Sequence, residues 1–499
     1  MKNKILYGFL ILTLVFSFRY SLAQEKSEEP HKETTREMPK ESSSVTKHSV
    51  KIDGRPLNYT VTAGTYLLKE DDGKPLASIF YMAYMKDGVK DKSRRPLLFS
   101  FNGGPGTASV WLHLGVLGPR KVVYDDEGFA LQPPYRLEDN EYSILDMADV
   151  VFIDPVATGY SRMAPGEDPH KYHGTMEDIE SVGEFIRLYV TRNKRWDSPK
   201  FLIGESYGTV RASGLAEYLQ ERHLMFLNGV ILVSMTSLNV ETGGDVGYAL
   251  IVPHYAATAW YHKKLPPDLQ SKNLLDVLDE VEKFVMSEYL LALVKGGYHP
   301  PEEKRNIVRK LSRYTGLSTD YIERSNLRIE RARFRKELLR DENRTVGRLD
   351  SRYKGIDKDG AGERYEYDQA MVDWEGTFAA TMNHYVRTEL KYETDLVYEV
   401  WGKVRPWKRD PSVRVGEMLR QAMTKNRYLK VFITEGYYDA ACDYFTAQYV
   451  FSHLDLNGEL KDRIKFGFYE SGHMMYIHKP SLLKMKKDLA EFIRSAVPQ

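Results

Sequence analysis

Apolar residues occur along this chain in two rhythms. From roughly His48, the runs HSVKI, LNYTVTAGTYLL and ASIFYMAYM are short and rich in β-branched and aromatic residues. Turn signals part them at Asp53-Gly54 and Asp72-Gly73, which predicts an antiparallel meander. Further on, PLLFSFNGG, DVVFIDPV, KFLIGES, GVILVSM, YLKVFITEG and IKFGFYESG each hold an unbroken apolar run, the pattern of strands covered on both faces. Between several of them the apolar positions change to a helical period. Ile179, Val182, Ile186, Tyr189 and Val190 form one stripe, and Met485, Leu489, Phe492, Ile493 and Ala496 another. Strands alternating with helices predict an α/β protein with a mainly parallel, doubly wound sheet and the meander at its N-terminal side.

Two stretches depart from this rhythm. Residues 240–428 are helical in pattern and heavily charged, as in EEKRNIVRKLSRYTG and ERARFRKELLRDENR. They are expected to form a helical insertion, or cap, over the sheet's end, dividing a catalytic domain into 47–239 and 429–499. Residues 24–46 hold almost no apolar side chains, too few to offset the entropy of ordering, and are expected to be a disordered linker. Ahead of them, MKNK, ILYGFLILTLVFSF and Ser21-Leu22-Ala23 have the layout of a signal peptide over 1–23, cut after Ala23. The apolar run is too short to span a bilayer comfortably. The expectation is a secreted or periplasmic protein with no stable membrane insertion after cleavage.

Composition narrows the field of partners. The 499 residues carry 42% hydrophobic and 28% charged side chains, the balance of a globular protein. Formal net charge is +1, and the basic runs of the insertion are interspersed with acids, so a solvated face is expected and a nucleic-acid partner is not. Cys442 is the one cysteine, so no disulfide can form within this chain. No HExxH and no paired Cys/His spacing occurs; neither a metal nor another cofactor is expected.

Chemistry concentrates in 200-KFLIGESYGTVRA-212. Gly204-Glu205-Ser206-Tyr207-Gly208 fits G-x-S-x-G with a strand running in and a helix running out. That setting lifts a serine hydroxyl clear of the sheet above a helix N-terminus. A serine needs a base, and the base needs an acid to hold its tautomer. In this architecture both follow at strand ends. Asp439 comes after YLKVFITEG and His473 after IKFGFYES. Asp443 and Glu435 are rival acids, placed within the following helix and within the strand; His453 falls in a helix and His478 beyond the loop. The Asn102-Gly103-Gly104-Pro105-Gly106 loop could supply an oxyanion donor, although an ordinary turn fits the same residues.

NGGPG, DVVFIDPVATGYSR, GESYG, the Asp439 loop and ESGHM together resemble the serine carboxypeptidase family of α/β-hydrolases, in the family's order. The resemblance implies a catalytic set of Ser206, Asp439 and His473, with the backbone N–H groups of Gly104 and Tyr207 as oxyanion donors. It also implies that Asn102, Gly103 and Glu205 hold the terminal carboxylate of a peptide substrate with a free C-terminus, and that Met474 lies against the substrate. Glu205 would then have to be protonated, which burial favours. This sequence departs from the family pattern at Val116, where a second glutamate is usual, and at Ser100, Thr107 and Ala157, where an aromatic residue, a cysteine and a glycine are usual. An esterase, amidase or acyltransferase on the same fold is the rival reading, and a non-catalytic binding protein a more distant one.

Overall fold

The computed structural model describes residues 38–498. The signal peptide and residues 24–37 of the expected linker lie outside the described residues. The meander comes first: β1 (Ser43–Ile52), β2 (Arg55–Lys69) and β3 (Pro75–Lys86) pair antiparallel in chain order. Asp53 and Gly54 both take positive φ, 49° and 73°, the backbone that suits a two-residue hairpin to the twist of its strands. β1 begins inside the stretch expected to be a linker. Ser43 and Ser44 pair with Gly64 and Ala63, and Ser44 Oγ donates to Leu390 O at 2.7 Å. A backbone ladder satisfies N–H and C=O whatever the side chains, so at this sheet edge polarity misleads.

The apolar runs become β4 (Leu97–Phe101), β5 (Asp149–Ile153), β6 (Lys200–Glu205), β7 (Gly229–Val233), β8 (Lys430–Gly436) and β9 (Ile464–Tyr469). The sheet runs β1-β2-β3-β5-β4-β6-β7-β8-β9. β5 meets β3 antiparallel, and every neighbouring pair from β5 onward is parallel. The main helices are α1 (Thr175–Arg192), α2 (Tyr207–His223), α3 (Val252–Tyr261), α4 (Leu274–Phe284), α5 (Pro301–Thr315), α6 (Gln369–Thr388), α7 (Val415–Lys425) and α8 (Lys479–Ala496).

Successive strand residues point to opposite faces, so each central strand feeds two cores. Phe99, Leu202, Leu232 and Ile433 pack with α1 and α2, including the Ile179–Val190 stripe. Leu98, Ile203, Ile231 and Phe432 pack with α8, including its Met485–Ala496 stripe. This is the mainly parallel, helix-flanked sheet that the apolar rhythm predicts.

The stretch 240–428 is not one layer. α3, α4 and α5 gather around a third core that also takes in Tyr437, Tyr438 and Tyr444, beyond the carboxyl end of β8. α6 joins the α8 core through Trp374, Phe378 and Met382. α7 joins the α1–α2 core through Leu419, Ala422 and Met423, as the crossover helix between β7 and β8. Charge on the outer faces of these helices hides the division in the sequence.

Candidate active site

β6 ends at Glu205 and α2 begins at Tyr207. The single residue between them, Ser206, has φ 58° and ψ −125°, a backbone that side-chain-bearing residues rarely adopt and that clusters at functional sites. Its N–H donates to Val233 O at 2.9 Å. The flanking glycines make the turn possible. A Cβ on Gly204 would lie 2.1 Å from Gly208 O, and one on Gly208 would lie 3.0 Å from Phe101 O.

Asp439 and His473 meet above neighbouring strand ends. His473 Nδ1 and Asp439 Oδ2 are 2.5 Å apart, and both residues are buried. Asp439 Oδ1 accepts from the N–H groups of Ala441 and Cys442 at 2.8 and 3.1 Å, which fixes the carboxylate's orientation. Burial draws the His473 pKa down, but the adjoining Asp439 carboxylate outweighs it and the net shift is upward. The rival acids are occupied elsewhere. Asp443, expected inside the next helix, stands at its N-cap, accepts from Thr446 N–H at 3.0 Å and pairs with Arg331. Glu435 accepts from Met235 N–H and is buried within β8. His453 bonds back to its own helix at Tyr449 O, and His478 bonds to Ser481 Oγ.

Asp439, Cys442 and His473 also bring potential ligand atoms within 4.8 Å of one another. The donor set does not suit a metal: the Asp439–His473 bond consumes one atom from each, and burial pushes the Cys442 thiol pKa well up, which keeps it protonated.

Ser206, Glu205, His473 and Met474 line one cavity of about 150 Å³ with Gly103 and Gly104. Its other walls include Trp111, Trp374 and Trp401. Gly103 lies against the start of α2, since a Cβ there would fall 2.4 Å from Tyr207 N. Gly104 has φ 102°, open to glycine alone at little cost. As first residue of α2, Tyr207 has no intrahelical acceptor for its N–H. Asn102 and Asp439 do not line the cavity; both stand behind it. Asn102 Oδ1 accepts from Trp111 and Leu112 N–H at 3.1 and 3.2 Å. Its Nδ2 is buried without a hydrogen bond among the described residues and sits beside the Glu205 carboxyl.

Glu205 is the electrostatic centre of this cavity. Burial raises its pKa to about 7, against the opposing pull of His473, Tyr476 and Asn102. Tyr476 OH donates to Glu205 Oε2 at 2.5 Å. Val116, which stands where the family pattern has a second glutamate, is buried and outside the cavity wall. Ala157 takes φ 69° where that pattern has glycine, a conformation that costs an L-residue about 1–2 kcal/mol.

Three groups of supporting residues carry no sequence signal. Tyr476 is one. Arg211, paired with Asp178 at 2.8 Å, donates to Asn102 O at 2.7 Å and ties the glycine loop to α1 and α2. The third is the segment Arg348–Arg352 of the insertion, which laces the Asp439 and His473 loops together. Arg348 O accepts from Ala440 N–H at 3.0 Å, Ser351 N–H donates to Tyr438 O at 2.9 Å, and Leu349 O accepts from His473 N–H at 2.7 Å. Asp350 Oδ2 accepts from Gly472 N–H, and Arg352 donates to Ser471 Oγ. Asp350 and Arg352 pair at 2.6 Å, each side chain 1% exposed. Most of its links to the two loops run through backbone groups, and the Asp350–Arg352 pair is local to the segment, so a reading by side-chain motif passes over it.

The sheet order, the elbow at its centre and the strand-end loops have the layout of an α/β-hydrolase. The serine carboxypeptidase family model matches residues 55–477, and the chain belongs to that family. Among curated relatives, Serine carboxypeptidase-like 36 of Arabidopsis thaliana is 30% identical over 189 residues, 36% of each chain. The pheromone-processing carboxypeptidase KEX1 of Yarrowia lipolytica is 28% identical over 181 residues, covering 35% of this chain and 26% of that one. The chain thus spans about a third of the length of the first of these relatives. Among solved structures, the prohormone-processing carboxypeptidase Kex1(delta)p of Saccharomyces cerevisiae shares the fold at TM-score 0.55 and 16% identity, over 87% of this chain and 91% of that one.

Proposed function

We propose that this protein is a serine carboxypeptidase that removes C-terminal residues from peptides. Ser206 Oγ attacks the carbonyl carbon of the last peptide bond while His473 takes its proton, oriented by Asp439. The developing oxyanion is received by the N–H groups of Gly104 and Tyr207 at the positive end of α2. His473 then protonates the departing amine, and water, deprotonated by the same imidazole, releases the acyl group from Ser206.

The observation that carries this reading is Glu205, a buried carboxyl with its pKa raised to about 7, in the small cavity that Ser206 and His473 share. Protonated, it donates to the substrate's terminal carboxylate beside Gly103 N–H, with Asn102 Nδ2 set against Glu205 from behind the wall. A cavity of about 150 Å³ suits a single departing residue. The test is residue release from an N-blocked peptide with a free C-terminus. The wild type should liberate the terminal amino acid, Ser206→Ala should lose turnover by several orders of magnitude, and a serine-directed phosphonate should label Ser206. Label on another serine, or an active alanine variant, overturns the assignment.

On this reading the part of 240–428 that shapes substrate access is the part that lines the cavity: Arg348, Leu349, Met371, Trp374 and Trp401. No described helix is long and apolar enough to cross a membrane. We further propose export to the periplasm or medium through residues 1–23; N-terminal sequencing of the exported protein should begin at Gln24, and a retained Met1 would contradict it.

A further inference from the structure

One cation in the catalytic cavity has no task in the proposed chemistry. Arg348 lines that cavity together with Ser206 and Glu205, and its side chain is 38% exposed. The backbone at this position is firmly held. Arg348 N–H and Leu349 N–H donate to the two oxygens of Asp368 at 3.0 and 3.2 Å, and Arg348 O accepts from Ala440 N–H. The guanidinium is not. Among the described residues it makes no hydrogen bond, and its one carboxylate contact is Asp368 at 3.4 Å through Nε. Asp368 already serves two backbone donors. Arg331 and Arg352, close by in the same part of the fold, both bond to carboxylates and to other oxygens.

Apart from the Thr107 hydroxyl, the remaining side chains of the wall are apolar and aromatic, Trp111, Trp374, Trp401, Met371 and Met474 among them. A guanidinium presents paired N–H donors in a planar fork that matches a carboxylate, and Arg348 lines a cavity offering no other full cation besides His473 in its protonated form. Glu205 carries no charge below about pH 7, so it does not repel an acid there. Resting on the carboxypeptidase reading, in which Glu205 and Gly103 take the α-carboxylate, we propose that Arg348 selects substrates whose departing residue bears an acidic side chain. Aspartate or glutamate at the C-terminus meets the free fork; lysine or arginine meets a like charge with no acid free to offset it.

The test uses four N-blocked dipeptides alike but for a C-terminal Glu, Gln, Leu or Lys, assayed below pH 7 with the wild type, Arg348→Gln and Arg348→Glu. The wild type should favour Glu over Gln by about tenfold in kcat/KM, the size of one partly exposed charge-assisted bond, and should disfavour Lys. Arg348→Gln should bring the Glu-to-Gln ratio close to one, and Arg348→Glu should invert the Glu-to-Lys ratio. If both variants lose efficiency equally on all four substrates with the ratios unchanged, Arg348 acts on something common to every substrate and the proposal is wrong. A wild type that cleaves all four without discriminating overturns the selectivity and leaves the carboxypeptidase reading standing. A wild type that releases no residue from any of them overturns both.

Discussion

At the scale of single residues, Glu205 and His473 share one cavity and oppose each other's titration. On the proposed mechanism, catalysis needs His473 neutral and, for a free-carboxylate substrate, Glu205 protonated. Interacting groups titrate as a pair. The His473 pKa is raised and the Glu205 pKa stands at about 7, so the active window in kcat/KM should be narrow and bell-shaped, with its alkaline limb set by Glu205. Glu205→Gln keeps the shape and a donor but cannot ionise. On a free-carboxylate peptide the variant should hold its activity to higher pH. Its acid limb should also move down, because the Glu205 carboxylate is one of the groups that raise His473. Stability should change in the same direction. A carboxyl whose folded pKa is raised from 4.5 to about 7 stabilises the fold fully below 4.5, and that contribution, roughly 3 kcal/mol, is lost as pH rises through 7. Urea unfolding of Glu205→Gln should lack this part of the slope between pH 5 and 8. Superimposable pH profiles for the two proteins would remove Glu205 from the account.

At the scale of elements, the Arg348–Arg352 segment joins the acid loop to the histidine loop through backbone hydrogen bonds and one buried ion pair. Removing one partner of such a pair leaves an uncompensated charge and costs about 3–5 kcal/mol. Asp350→Ala should therefore lower stability by that order. It should also lower kcat per folded molecule with little change in KM, because the Gly472 N–H loses its acceptor and His473 loses its fixed place. Steady-state kinetics on the folded fraction, measured beside urea unfolding, separate the two effects; an unchanged kcat would make the segment a stabiliser and nothing more. Legibility differs among elements for a related reason. β4 to β8 stand out in the sequence because burial on both faces demands unbroken apolar runs, whereas β9, at the sheet edge, is apolar in sequence but only partly buried; Ser206 stands out because glycines must flank it. The Ser43 end of β1 and the Arg348–Arg352 segment are held largely through backbone groups, which every residue carries, so their side chains give little notice. Tyr476 lies close enough to His473 in the chain to be seen, but its partner Glu205 is distant in sequence and only folding joins them. Asp443 and Asp439 look alike in sequence; hydrogen bonds to Thr446 N–H and to His473 tell them apart.

At the scale of the whole molecule, the sheet brings four strand ends together around one cavity, walled on its other side by α6, which packs on the α8 core. The Ser206 turn closes β6, the Asp439 loop follows β8 and the His473 loop follows β9, while the glycine loop after β4 covers the start of α2. The cavity left between them is small and holds a protonatable acid on the nucleophile's side. The central claim is that this geometry cuts one residue at a time from a free C-terminus. It is tested most directly by comparing kcat/KM for an N-blocked dipeptide and for the same dipeptide with its C-terminal carboxyl amidated, below pH 7. The account predicts strong preference for the free acid, by about a hundredfold, since the amide leaves the Glu205 and Gly103 donors without a charged partner. Equal efficiency on the two across the pH range would contradict it and point to an esterase or amidase.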